Sequence, residues 1–181
     1  PRETFVKVDE LLEKKREVLE EYLEQLLWWN QKINLVSRDV PRETIWEHIR
    51  HSLLITGMES YQESPFIVDA GTGGGLPGLP LAIVSPAKKF LLNDIVTKKI
   101  LAIKQMARKL NLQNTSYFDR SVQELRITES FLLITKHAFK INDLYHMVKD
   151  KPWTSIIFYK GVDFESELHA IEDPLSIISY D

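Results

Sequence analysis

Between Phe66 and Gly161, short apolar runs alternate with helical stretches, and this pattern constrains the fold more than any other property of the chain. PFIVDAG, KFLLND, TSYFD, FLLIT and SIIFYKG have the length and apolar character of buried strands. Between them, LPLAIVSP, a basic stretch from Thr97 to about Leu110, the short VQELRI and a stretch near Asn142 to Lys149 read as helices. Strands alternating with helices predict an α/β fold, Rossmann-like, built on a mostly parallel, doubly wound sheet.

Residues 8 to about 36 read as one long amphipathic helix, with Leu12, Leu19, Tyr22, Leu23 and Leu26 at helical spacing and Lys15 interrupting the stripe. Pro41 opens a second helical stretch, with Asp39 as its expected N-cap and a stop near Gly57. These helices precede the first strand. They predict an N-terminal helical extension over 1–64 added to a cofactor-binding core over 65–181, in one compact domain overall. A chain of 181 residues supports one substantial core rather than two full domains.

Composition narrows the functional classes. The sequence has no cysteine, which excludes a disulfide framework and a thiolate zinc site. No apolar run approaches the ~20 residues that cross a bilayer, and no signal-like segment opens the chain, so a cytoplasmic protein without membrane contact is expected; a monomer is expected as well. The start at Pro1, without a methionine, reads as processed or trimmed. A net charge of −3 argues against a generally basic nucleic-acid coat but leaves room for a local basic face.

VDAGTGGGLPGLP, residues 68–80, holds five of the seven glycines. Two templates fit it. Gly73-x-Gly75-x-x-Gly78 matches the dinucleotide fingerprint, with Asp94 at the end of the second strand suited to a ribose hydroxyl. Asp69-x-Gly71-x-Gly73-x-Gly75 matches the first motif of Rossmann-like methyltransferases, whose ligand carries a sulfonium and an amino acid in place of a pyrophosphate. A carboxylate at the strand end attracts positive charge and repels phosphate, so Asp69 favours the cationic cofactor. The plainer alternative is a tight turn in which Asp69 only caps the following helix.

DAGTGGGLPGLPLAIVSP closely resembles the cofactor loop of the glucose-inhibited division protein B family. These are bacterial methyltransferases that modify the 7-position nitrogen of a guanine in small-subunit ribosomal RNA. Trp29-Asn30 with Asn34-Leu35, and His48-Ile49 with Ser52-Leu53, are similar to further family signatures, and LLND with Lys98 and Lys99, VQEL, HAF and YKG to later ones. The resemblance covers roughly residues 25 to 161. It implies a class I methyltransferase using S-adenosyl-L-methionine, with ribosomal RNA or the small ribosomal subunit as partner. It further implies that Gly71 and Leu76 line the cofactor pocket with the other loop glycines, that Asp94 bonds the ribose, and that Val122 and Gln123 border the adenine. His137 joins this cofactor set in place of an arginine.

The departures cluster in a few blocks. The family's Ser-Arg-Ala-Phe block is Lys136-His137-Ala138-Phe139, and His51 replaces a frequent aspartate. Ser121 stands where an arginine is usual, with Arg120 one residue earlier, and Phe131-Leu132 replaces a Phe-Asp pair. Neither histidine nor lysine reproduces the bidentate fork of a guanidinium. Cofactor binding is nonetheless expected to persist, with target choice and rate left open. The resemblance also implies a closing antiparallel hairpin, whereas LSIISYD suffices for one strand, so a shortened C-terminal sheet edge is expected.

Attack by a guanine ring nitrogen uses a lone pair that carries no proton, so catalysis rests on alignment and exclusion of water, and no general base is assigned. No metal is expected either: His48 and His51, three residues apart, lack a third convincing ligand. Adjacent Trp28 and Trp29 diverge by ~100°, so at least one is expected to pack inward, base stacking being the alternative. Lys98 and Lys99 are candidates for phosphate contact, and Lys136, His137, Lys140 and Lys160 for an RNA-facing rim. Two other functions stay open. One is a catalytically impaired cofactor- or RNA-binding paralogue; the other is a nicotinamide-dependent oxidoreductase, against which Asp69 and the lack of room for a substrate domain count.

Overall fold

The computed structural model describes residues 2–161, 163–174 and 176–178. The single helix expected over 8–36 is two helices, α1 (Arg2–Lys14) and α2 (Arg16–Lys32). They part at Lys15, whose φ of −111° and ψ of 18° leave the helical region. The break falls where the lysine interrupts the apolar stripe, and Val8 and Leu12 on one side and Leu19, Tyr22 and Leu26 on the other are all buried. After α2, Asn30 folds the chain back. Its Oδ1 accepts from the N–H groups of Leu35 and Val36 at 3.0 and 2.9 Å, and its Nδ2 donates to the Ser37 carbonyl. The Trp-Asn…Asn-Leu signature is therefore a turn-building device. α3 (Arg42–Ser52) has Pro41, not Asp39, at its N-cap; Asp39 takes a left-handed φ of 58° in the preceding turn. A 3-10 turn, Leu53–Gly57, and a short α4 (Glu59–Gln62) lead into the sheet.

All five expected strands form: β1 (Phe66–Ala70), β2 (Lys89–Asn93), β3 (Thr115–Phe118), β4 (Phe131–Lys136) and β5 (Trp153–Tyr159). Their order is β3-β2-β1-β4-β5 and every pair is parallel. β1 and β4 are buried at every position, which is why they read as unbroken apolar runs, whereas β3 and β5 are only partly covered. The crossover helices are α5 (Gly78–Val84), α6 (Thr97–Lys109) and α7 (Ile141–Val148). The sheet grows in opposite directions from its centre, so right-handed crossovers place α5 and α6 on one face and α7 on the other.

Side-chain alternation agrees. Ile67, Leu92, Leu132 and Ile134 share a core with α5, α6 and buried residues of α1, α2 and α3, while Phe66, Val68 and Leu133 pack with Leu144 and Val148 of α7. The N-terminal helices thus cover the sheet face that α5 and α6 also cover. Strand order reverses between β1 and β4, the place where an open α/β sheet leaves a crevice at its carboxyl ends. The expected strand in LSIISYD includes Leu175 and Ser179 to Asp181, which lie outside the described residues. Among the described residues no helix is long and apolar enough to cross a membrane.

Candidate active site

At the carboxyl end of β1 the chain enters the glycine loop. Gly71, Gly73 and Gly75 have φ of +70°, +55° and +95°, a region side-chain-bearing residues rarely occupy. Asp69 is 0% exposed beneath this loop. Its Oδ2 accepts from Thr72 Oγ1 at 2.6 Å and from the N–H of Gly78, the first residue of α5, at 2.9 Å. Burial pushes the Asp69 carboxyl well above its ordinary range, and the bonds from Thr72 and Gly78 pull only partly the other way. Both donors that Asp69 holds belong to the protein, and its Oδ1 is buried with no protein partner. The plainer helix-capping reading describes its geometry.

Two further anchors were invisible in the sequence pattern. Tyr22 on α2, which reads as one more apolar stripe position, donates its hydroxyl proton to the Gly74 carbonyl at 2.7 Å. Thr72 N–H donates to the Asn93 carbonyl at 2.8 Å. Gly75 is buried, and a Cβ there would stand 2.5 Å from Leu79 Cδ1, so this glycine serves the turn into α5. Gly71, Gly73 and Leu76 keep part of their surface.

Asp94, just past β2, is 8% exposed. Its Oδ2 accepts from Gly73 N–H at 2.9 Å and its Oδ1 from Val96 N–H at 3.0 Å. Each oxygen retains further acceptor capacity, so the carboxylate is pre-positioned by the loop and still able to take hydroxyl donors. Val122 follows β3 in a 3-10 turn, Val122–Glu124, and is buried in the core on the α7 side. Gln123 is exposed, and its carbonyl accepts from Lys151 Nζ.

The ends of β4 and β5 form the other half of the crevice. His137 turns the chain with a left-handed φ of 58° and stays exposed. Ala138 and Phe139 then lie against the glycine loop: a Cβ on Gly71 would come within 2.5 Å of Ala138 Cβ and 3.0 Å of Phe139 Cε2. Lys136, only 9% exposed, directs its Nζ to His51 Nδ1 on α3 and lies 5.2 Å from the centre of the Tyr159 ring. The His51 and His137 rings are parallel, 6° apart in plane, with centroids 6.5 Å apart. Burial lowers Lys136 to about 8. His51 falls to about 4, through burial first and then the Lys136 charge. Three departures separated in sequence, at 51, 136 and 137, therefore meet in space.

Two lysines of the expected cationic rim already hold partners within the protein. Lys160 donates to the Phe139 carbonyl at 2.6 Å and pairs with Glu167 at 3.0 Å, so it pins the β4–α7 turn. Lys136 is buried and bonded to His51. Lys98 and Lys140 are exposed, and Lys99 is half-buried.

A family model described as rRNA small subunit methyltransferase G (GidB) matches residues 15–179. The chain belongs to that family. Curated relatives named "Ribosomal RNA small subunit methyltransferase G" include one from Pelodictyon phaeoclathratiforme, 38% identical, with the match covering 78% of this chain and 63% of that protein. Others come from Chlorobium chlorochromatii, 42% identical over 70% of this chain and 54% of that protein, and Chlorobium limicola, 35% identical over 91% and 76%. The chain thus spans little more than half to three-quarters of the length of these relatives. Among solved structures, StiE O-MT superposes with a TM-score of 0.50 at 19% identity, over 72% of this chain and 50% of that one, a likeness of fold.

The adjacent tryptophans of α2 separate by role. Trp29 packs against the core, whereas Trp28 is 52% exposed with Lys32 Nζ 4.2 Å from its ring centre. Both line a groove of about 830 Å³ with Gln105, Arg108 and Lys109. α6 leaves the carboxyl edge at Thr97, so its last residues stand about 20 Å away along the helix and the groove is remote from the crevice.

Proposed function

We propose that this chain is an S-adenosyl-L-methionine-dependent methyltransferase that modifies the 7-position nitrogen of a guanine in small-subunit ribosomal RNA, acting as a cytoplasmic monomer on the RNA or the small subunit. The observation that carries the reading is Asp94: a carboxylate fixed by two loop N–H groups, with acceptor capacity left, beside left-handed glycines where the strand order reverses. Such a crevice suits a nucleoside, and its glycines would let the ligand approach the backbone.

When bound, the cofactor supplies a methyl group activated on a sulfonium. The chain's own residues bind and orient. Gly71 and Gly73 offer close backbone approach, with Leu76 along the pocket wall. Asp94 accepts from ribose hydroxyls, and the Val122 backbone with Gln123 borders the base. Asp69 and Gly75 act by keeping the loop in shape, and His137 stands at the pocket's rim. The attacking nitrogen brings a free lone pair, so the protein removes no proton; it holds the reacting atoms in line and keeps water out. Exposed Lys98 and Lys140, with Lys99, supply RNA phosphate contacts.

Calorimetric titration of the full chain with S-adenosyl-L-methionine and S-adenosylhomocysteine tests the cofactor. Saturable binding is expected, weakened by Asp94→Ala by about 10- to 100-fold, the equivalent of one or two hydrogen bonds to a charged group. Binding of a nicotinamide dinucleotide instead would return the oxidoreductase reading. Methyl incorporation into ribosomal RNA or small subunits then separates an active enzyme from an impaired paralogue.

A further inference from the structure

Lys136 is a largely buried cation whose surroundings offer neutral acceptors. Its ammonium donates to His51 Nδ1, which places the His51 proton on Nε2, and the Tyr159 ring lies 5.2 Å away. The groups facing it are His48 and His51 from α3, its neighbour His137, and Tyr159 at the end of β5, with the Lys160 charge acting on His137. Among the described residues no carboxylate pairs with Lys136; Glu167 is held by Lys160. Nor do the histidines form a metal site, since among the described residues no group of three or more His, Asp or Glu is placed to hold an ion.

A desolvated ammonium ringed by imidazoles is electrostatically incomplete. An oxyanion entering beside it would gain the two Lys136 N–H donors that His51 does not take, together with any imidazole that protonates in response. The segment carrying Lys136 and His137 also packs on Gly71, so the position adjoins the cofactor loop.

We propose that Lys136, His51, His137 and His48 form a proton-coupled oxyanion receptor, which binds a phosphate oxygen of the RNA strand beside the target nucleotide. This rests on the RNA-methylating reading only for the source of the phosphate. Proton coupling follows from the free state. His48 and His137 lie below their ordinary value, through burial first and then the Lys136 charge, so they are mostly neutral near pH 7. A bound anion raises them, and protons are taken up on binding. Affinity therefore increases as pH falls toward 6, and declines as pH rises through the Lys136 value of about 8.

The test follows the imidazole carbon-bound proton resonances of His48, His51 and His137 by NMR in the full chain, from about pH 5.5 to 9, with and without inorganic phosphate. A parallel series uses S-adenosylhomocysteine, whose carboxylate is the other oxyanion that could reach this place. Phosphate is expected to raise the His48 and His137 midpoints by about one unit, and to bind roughly tenfold more weakly to Lys136→Met. Lys136→Arg, which keeps the charge, is expected to retain binding. Midpoints in the wild-type chain that ignore phosphate overturn the proposal, whether or not Lys136→Met folds. A Lys136-dependent shift seen with S-adenosylhomocysteine but not with phosphate also overturns it, and assigns the pocket to the cofactor's carboxylate. Failure of S-adenosylhomocysteine to bind while phosphate still shifts the histidines counts against the methyltransferase reading and leaves the receptor standing.

Discussion

The two sides of the crevice are built on opposite electrostatic plans. At the β1–β2 edge, buried carboxylates collect donors from the protein itself: Asp69 from Thr72 and Gly78, Asp94 from Gly73 and Val96. At the β4–β5 edge, a buried lysine and two neighbouring imidazoles meet with no acid paired to the lysine among the described residues. At the first edge the internal bonds set the loop's shape before any ligand arrives, and leave Asp94 acceptor capacity for one. The second is left for a ligand to complete. Shape and charge recognition are thus divided between the halves of one sheet.

The largest expected effects separate these plans by stability. Asp69→Ala leaves the Thr72 hydroxyl and the Gly78 N–H buried without an acceptor, which costs about 2–5 kcal/mol. Lys136→Met removes a desolvated ammonium and fills its space with a flexible apolar chain, so stability is expected to change by less than about 1 kcal/mol or to rise. Urea unfolding of the two variants checks both. A mild Asp69→Ala beside a severe Lys136→Met would invert the comparison.

Tyr22→Phe is the next step down. It deletes one hydroxyl and leaves the Gly74 carbonyl without that donor, at an expected cost of about 1 kcal/mol. Because the bond joins the N-terminal helices to the cofactor loop, S-adenosylhomocysteine should also bind several-fold more weakly. An unchanged affinity would show that the loop keeps its shape without α2.

The unequal legibility of the two edges in the sequence follows from the same division. The five strands and the loop position were readable because apolar runs, glycines and the strand-ending aspartates are local patterns, each with its own period or spacing. Helix breaks were less so: Lys15 appeared as a flaw in a stripe, but only burial on both sides shows that it divides two helices. The roles of Tyr22, Lys136 and Lys160 were not readable, because each depends on a partner 21 to 85 positions away. Nothing about Lys160 in its own segment marks it as the holder of the Phe139 carbonyl. Asp69 was read incompletely for a different reason. A carboxylate at a strand's carboxyl end can serve the ligand, the loop's underside or both, and only the fold shows that it holds Thr72 and Gly78.

A pH slope, rather than a single loss of stability, probes that underside directly. Asp69 is an acid whose folded value is raised by burial above its ordinary 3.8, so the folded chain holds its proton more tightly than the unfolded one. The stability this contributes is complete below the ordinary value and is lost as pH rises through the raised one. The Asp69→Asn variant removes this titration. Its side-chain amide oxygen can take both donors, and its amide nitrogen would sit where Asp69 Oδ1 is buried without a partner. Urea midpoints from about pH 5 to about pH 8 should therefore shift in favour of Asp69→Asn as pH rises, by no more than about 1.4 kcal/mol per pH unit. Parallel pH profiles for the two proteins would mean that the carboxylate is already ionised throughout. Thr72 and Gly78 would then be stabilising a buried anion, and the loop would rest on a charge rather than on a neutral acid.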